Sequence, residues 1–435
     1  MAGSQECMKY KRIIGFAWAG WIFDFYDLIL YSFLLIHIKT DFNLTKIELG
    51  LVYSASLAIT AVGGIVLGWV GDKIGRKPAI ILSVLVFTIG TVFSAISWDL
   101  YSLLIFRIIT GFGIGGEWAA GHTLVNETLS KGQRGKASAI IQSGAPIGVA
   151  LASITGGFIT PTIGWRASFL LAAVPSLLLV ILMVLYLPES PKFLIFKAEA
   201  RDKHFIEGRK IPSGTSYVRE ATKHSLHYLW EVRKPLFYGT ILSLWGMLAY
   251  WVIFSWTPEY LGQIGFTDAE IGYWMLLSQI GAFIGYLSFG FVADKTDNFK
   301  ITFAGYALTF SFGVLIFIQA LLNNNLEISL MGIFITGLGT GFFSGYGPLY
   351  SKIFPTRIRN TSASFCFNTG RLGAFIAPIL VTFASEIIGF GYAIALGSIF
   401  GLLVALWVLI IPIKKEHLDT EFQEETLFLT QSIIS

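Results

Sequence analysis

Two aspartates stand one helical turn apart in a stretch otherwise apolar enough to enter lipid: residues 20–31 read GWIFDFYDLILY. The flanks, 13–19 and 29–36, are long and greasy, so Asp24 and Asp27 fall near the middle of an expected membrane helix. An aspartate at that depth costs about 2.5–3.5 kcal/mol on insertion scales, and such groups face a bundle interior or a wet cavity. Gly20, Asp24, Asp27 and Tyr31 recur at helical spacing on one face. Two carboxylates one turn apart resist joint ionisation away from water, so the pair is expected to hold one proton and titrate as a unit. That is the chemistry of a proton-coupled carrier. The plainer alternative is a polar pair that only packs helices.

Other ionisable residues also interrupt apolar runs. Arg107 and Glu117 share the fourth run, about 15 Å apart along a helix axis. They are too far apart to pair with each other, so each needs its own partner. Both are candidates for proton coupling, with an ion pair to another span as the alternative for Arg107 and a cation on the N-terminal side for Glu117. Arg371 sits within the eleventh run, in the half opposite Asp24 and Asp27. Its permanently charged guanidinium is a ready fork for a substrate carboxylate. An ion pair with Asp27 in the empty protein is compatible with that role if substrate competes for the arginine. Gln142, Gln279 and Asn368, with Asp27 and Tyr31, complete the candidate substrate contacts.

Several motifs point nowhere chemical. Gly111, Gly113 and Gly116 spell G-x-G-x-x-G, but no strand precedes them and a phosphate loop requires one; glycines here are expected to let helices pack closely. His204, His224 and His227 lie in a polar loop and His122 near the end of the fourth run, none with metal-ligand spacing. Two cysteines, Cys7 and Cys366, make neither a disulfide framework nor a metal site. No cofactor and no nucleophile–base constellation is expected, so an enzyme is not the reading.

The elements that must hold these groups are set by composition. Of 435 residues, 54% are hydrophobic and only 13% charged, with a mean hydropathy of +0.68. Ordinary soluble domains carry about 25% charged residues. Runs long enough to span a bilayer fall at 13–37, 47–70, 79–98, 101–125, 137–160, 167–187, 236–261, 270–292, 301–321, 328–352, 361–386 and 390–412. This predicts an all-α membrane protein of twelve transmembrane helices in two six-helix halves, 1–187 and 236–412. A cytoplasmic loop, 188–235, joins them, and a cytoplasmic tail, 413–435, follows. Of the 31 lysines and arginines, only Lys39, Lys46 and Arg166 fall on the side opposite the N-terminus, with Arg107 and Arg371 inside spans. That asymmetry predicts both termini in the cytoplasm. The net charge of +4 is then a matter of topology, not of a nucleic-acid partner.

Residues 68–77, GWVGDKIGRK, resemble the loop motif of the major facilitator superfamily, Gly-x-x-x-Asp-Arg/Lys-x-Gly-Arg-Lys/Arg, at every defining position. Gly68 and Gly71 are expected to permit close helix approach. Gly75, Asp72, Arg76 and Lys77, with Arg134 in the next such loop, are expected to form a charge latch made in one conformer only. A partial echo, Gly290-Phe-Val-Ala-Asp294-Lys295, follows span 8; Asp297 and Asn298 stand there where Gly and Arg are expected, which weakens a second latch. Repeated halves with a site between them are the build of secondary transporters.

Leu187-Pro-Glu189-Ser190-Pro191-Lys192 is similar to a signature shared by sugar porters and organic-acid symporters. The GGEW of span 4, Thr123–Glu127, Arg134-Gly135, Gln142–Gly144 and Asn368–Arg371 together resemble the sialate:proton symporter family, which includes carriers of lactate and other carboxylates. Asp24-Phe-Tyr-Asp27 with Tyr31 is similar to the first span of metabolite:proton and aromatic-acid symporters, although Phe25-Tyr26 replaces the small residues often found between the acids. The resemblance implies proton-driven uptake of an organic anion, with the first-span acids and Arg371 at the site; the carrier is expected to be a monomer in the cell membrane, taking a small carboxylate. A sugar or polyol symporter of the same fold is the alternative, and a non-transporting nutrient sensor the third reading.

Overall fold

A long apolar segment in lipid can satisfy its own peptide groups only as a helix, and the sequence obeys. The computed structural model describes residues 2–128, 137, 140–191, 193–194, 232–296, 298–354 and 359–412, and among them there is no strand. Arg134, most of the loop 188–235 and the tail 413–435 lie outside the described residues, as do the side chains of Asp72 and Asp294.

The first half comprises α1 (Ala2–Phe42), α2 (Lys46–Ile74), α3 (Arg76–Ala95), α4 (Leu100–Thr128), α5 (Gly144–Ile154) and α6 (Thr160–Tyr186), with a π-helical turn, Thr155–Ile159, between the last two. In the structure, residues 140–186 form one continuous helical and apolar stretch of 47 residues. A straight helix of that length would run about 70 Å, more than twice the hydrocarbon thickness of about 30 Å. It is broken at Gly164, whose φ of 79° a side chain would oppose. Among the described residues the eleven apolar stretches are therefore twelve crossings.

The second half repeats the plan with α7 (Arg233–Gln263), α8 (Asp268–Thr296), α9 (Phe299–Leu322), α10, α11 (Arg359–Ile388) and α12 (Phe390–Ile410). Here α10 is composite: Leu326–Gly339 tightens through a 3-10 turn, Thr340–Gly345, before the helix resumes over Tyr346–Ile353.

The halves echo each other in detail. At the start of α2, the Thr45 amide donates to Glu48 Oε2 at 2.8 Å and the Glu48 amide to Thr45 Oγ1 at 3.3 Å. Thr267 and Glu270 repeat this capping box at α8, with the same two distances. Close packing repeats too. A Cβ at Gly63, Gly111 or Gly115 would overlap the facing backbone of the α2–α4 pair, and one at Gly281, Gly285 or Gly337 would do the same between α8 and α10. The span-4 glycines thus serve helix contact. Gly115→Val is expected to lower the melting temperature in detergent by an overpacking cost of about 1–3 kcal/mol. Gly68→Ala, where a Cβ meets nothing within 4 Å, should leave it unchanged. The close approach expected at Gly68 is therefore not made in this conformation.

Candidate functional site

Between the halves lies a cavity of about 640 Å³, open solvent at its mouth included. From the first half it is walled by Trp21, Asp24, Phe25 and Leu28 of α1, Leu57 and Thr60 of α2, Ile114 of α4, and Gln142 and Ala145 at the start of α5. The second half supplies Met247, Tyr250 and Trp251 of α7, Tyr286 of α8, Phe343 of the 3-10 turn, and Phe367, Arg371 and Ala374 of α11. Phe25 bridges the halves, edge-on to Tyr250 at 6.2 Å and stacked on Trp251 at 6.5 Å.

The polar groups of this wall are few, and several are unsatisfied. Gln142 Oε1, Trp21 Nε1 and Arg371 Nη1 are buried without a hydrogen-bond partner, and the Asp24 carboxyl has only the Glu117 carboxyl to meet. Buried polar atoms are ordinarily paired, so a set of them around one void marks a place for a ligand or water.

Asp24 and Asp27 part company here. Three residues turn a helix by about 300°, which leaves the two carboxyls about 60° apart and facing different neighbours. Asp24 meets Glu117 of α4 and is within electrostatic reach of Arg371. Gly20 makes room for this: a Cβ there would collide with the Glu117 carboxyl. Glu117 is also within reach of Arg371, so two buried carboxyls and one guanidinium from opposite halves form a single electrostatic unit.

Asp27 turns away from the cavity into the first half. Its Oδ2 lies 2.9 Å from Arg107 Nη2, and its Oδ1 accepts a 2.6 Å hydrogen bond from Thr91 of α3. Arg107 is fully buried, with its guanidinium 5.0 Å from the Tyr31 ring and 5.6 Å from that of Phe169. The expected Asp24–Asp27 unit is replaced by Asp24–Glu117, and the expected Asp27–Arg371 pair by Asp27–Arg107. Tyr31 packs behind the wall with Tyr53 and Phe169. Gln279 is buried against Ser278 at 2.7 Å, and Asn368 Oδ1 lies near Gly64 at the α2–α11 contact. Of the proposed substrate contacts, Gln142 and Arg371 line the cavity; Asp27, Tyr31, Gln279 and Asn368 do not.

The loop before α3 holds a separate charge cluster. Arg76 Nη2 and Nε donate to Glu127 of α4 at 2.8 and 3.0 Å, and Arg76 Nη1 donates to the Gly71 carbonyl at 2.9 Å. Glu189 caps the helix start, accepting from the amides of Arg76 and Lys77 at 3.0 and 3.2 Å, where the helix dipole favours an anion. Ser190 Oγ donates to Glu127 at 2.6 Å and Lys77 Nζ to the Val184 carbonyl at 2.9 Å. Gly75 is obligatory on two counts, a φ of 117° and the Glu189 carboxylate where its Cβ would stand.

Sequence reasoning missed Thr91, the cavity aromatics Trp21, Phe25, Tyr286 and Phe343, and the wholly buried Glu259 of α7. Only Glu259 carried a usable signal, an acid inside an apolar run.

Comparisons with known proteins agree with this architecture. A profile of the Major Facilitator Superfamily matches residues 17–369 and again 264–434. The sialic acid transporter NanX of Escherichia coli is 29% identical over 392 residues, which are 88% of this chain and 89% of that protein. The putative niacin/nicotinamide transporter NiaP of Bacillus subtilis is 28% identical over 431 residues, 97% of this chain and 100% of that one. Among solved structures, a partially occluded inward-open form of the xylose transporter XylE from E. coli is similar with a TM-score of 0.76. That likeness covers 94% of this chain and 99% of the other at 20% identity, and bears on the fold alone. With twelve crossings in two matching halves and a cavity between them, the chain is a multi-pass membrane transporter, not an enzyme, and belongs to the Major Facilitator Superfamily.

Proposed function

We propose that this transporter carries a small organic carboxylate together with protons, by alternating access across the cell membrane. One observation carries the reading: Arg371 presents an unpartnered guanidinium nitrogen to a mainly apolar cavity, within electrostatic reach of Asp24 and Glu117. A single buried cation needs a counter-charge, which either the protein's carboxyls or the substrate can supply. Protonating Asp24–Glu117 frees Arg371 to take the substrate carboxylate; releasing the protons restores the internal pairing and expels the anion. Coupling is then an electrostatic exchange at one guanidinium. The two relatives named above by sequence are a sialic acid transporter and a putative niacin/nicotinamide transporter, and both sialic acid and niacin carry a carboxyl group.

Asp27 and Arg107 serve in this scheme as a permanent ion pair behind α1. The Arg76–Glu127–Glu189 cluster is the latch, and on the excess of Lys and Arg it and both termini lie in the cytoplasm. The two six-helix halves act as the rocking units, with the chain working as a monomer.

The test is uptake into proteoliposomes. The wild type should accumulate carboxylate only with an inward proton gradient. Asp24→Asn and Glu117→Gln should abolish accumulation while leaving exchange of labelled for unlabelled substrate. Accumulation that persists without the gradient, or at wild-type level in both variants, contradicts the coupling. A neutral sugar is the competing cargo, since Gln142 Oε1 and Trp21 Nε1 suit hydroxyls; hexose bound in preference to carboxylates decides for it.

A further inference from the structure

At the end of the bundle away from Gly75, charges from both halves meet across a second mouth, closed in this conformation. Lys39 Nζ of α1 lies 3.4 Å from Glu259 Oε1 of α7, and Gln263 Nε2 donates to the same oxygen at 2.7 Å. Two residues earlier on α1, His37 Nε2 stands 3.3 Å from Asp268 Oδ2 at the start of α8. The seam around these pairs is tight: Gly157 lies against Gly272 and the Asp268 carbonyl, and Ile36 covers Gly262. Both ion pairs join first half to second, so both must part if this mouth opens.

The charged groups facing this seam are Lys39 from α1, Lys46 from α2, Glu259 from α7, Asp268 from α8 and Glu386 from α11. His37 is the imidazole among them, the side chain whose charge changes between pH 5 and 8. Both members of its pair are about a quarter exposed, at 28% and 27%, so protons of the adjoining bulk phase reach them.

We propose that His37 and Asp268 form a pH-operated clasp on this mouth. The imidazolium holds α1 to α8; the neutral imidazole lets go and leaves Lys39–Glu259 to hold alone. This goes beyond the substrate reading, since it concerns the gate whatever fills the cavity, and takes from it only the orientation that makes external pH the signal. External acid then loads the carrier and also shuts the mouth behind the load, so uptake should rise and then fall as the outside is acidified.

The test needs no substrate. Spin labels at the exposed Thr40 and Ala269, with both native cysteines replaced by alanine, report the width of the mouth in the full-length protein in lipid nanodiscs. Asp24→Asn and Glu117→Gln are included so that the cavity carboxyls contribute nothing to the pH response. From pH 5.5 to pH 8 the open-to-closed ratio should rise about fivefold, the upper range for one exposed ion pair. His37→Gln and, independently, Asp268→Asn should give the same ratio at both pH values, and His37→Lys should stay closed at both. A distance distribution that ignores pH with His37 present, or one that still follows pH in His37→Gln and Asp268→Asn, overturns the clasp. Neither result touches the carboxylate reading, which the uptake assay decides separately.

Discussion

Replacing Arg371 with alanine is expected to weaken carboxylate binding about 10- to 100-fold, the worth of a buried charge-assisted hydrogen-bond pair at about 1.5–3 kcal/mol. Calorimetric titration of the purified protein reads this directly. Arg371→Lys should recover only part of the loss, because an ammonium keeps the charge but not the planar fork. Binding should also respond to pH through the partners of Arg371. In the wild type, acid neutralises Asp24–Glu117 and releases the guanidinium, so carboxylate affinity should be higher at pH 5.5 than at pH 8. In Asp24→Asn/Glu117→Gln it should be high and nearly flat. Unchanged affinity in Arg371→Ala would move the anion site elsewhere.

Asp27→Asn is expected to act on a different property. Arg107 is fully buried, and removing its counter-charge leaves an uncompensated cation, a loss of about 3–5 kcal/mol. The variant should show a depressed melting temperature before any transport defect is interpretable. Asp27→Leu with Arg107→Met should restore most of the stability, since an apolar pair of similar volume replaces an ion pair at little net cost. If Asp27→Asn melts like wild type while losing accumulation, Asp27 is a proton carrier and the division of labour drawn above is wrong.

These two predictions turn on a point that the sequence could not supply. Hydropathy located every crossing, including both of those inside the 47-residue stretch that only Gly164 divides, because lipid permits one solution to the backbone problem. It also identified the unusual residues, since a charge in an apolar run stands out whatever surrounds it. What it could not say was which helix each charge meets. Asp24 and Asp27 sit close enough in sequence to suggest partnership, yet the 60° between them is enough to send one to Glu117 and the other to Arg107. Neighbour identity in a bundle is set by tertiary packing, and one helix's periodicity carries no record of it. For the same reason Gln279 and Asn368, plausible as polar residues in spans, fall beside Ser278 and Gly64 and not on the cavity wall. His37 lay near a span end, where ionisable residues are unremarkable, and Glu259, an acid inside an apolar run, gave no hint of its partner. Their importance is visible only once the two halves are brought face to face.

The seam of Gly157 on Gly272 differs in kind from the glycine contacts inside each half. Where α2 meets α4, backbone touches backbone and no solvent ever enters. Across the seam, every transport cycle would bring water between surfaces that had been in contact. Bulky aliphatic side chains there would be wetted on each opening, at about 25 cal/mol per Å². Bare peptide groups are already good partners for water. A protein that must unseal repeatedly therefore gains by meeting backbone to backbone at Gly157 and Gly272, so that less of the energy of the ion gradient goes into wetting its own interior.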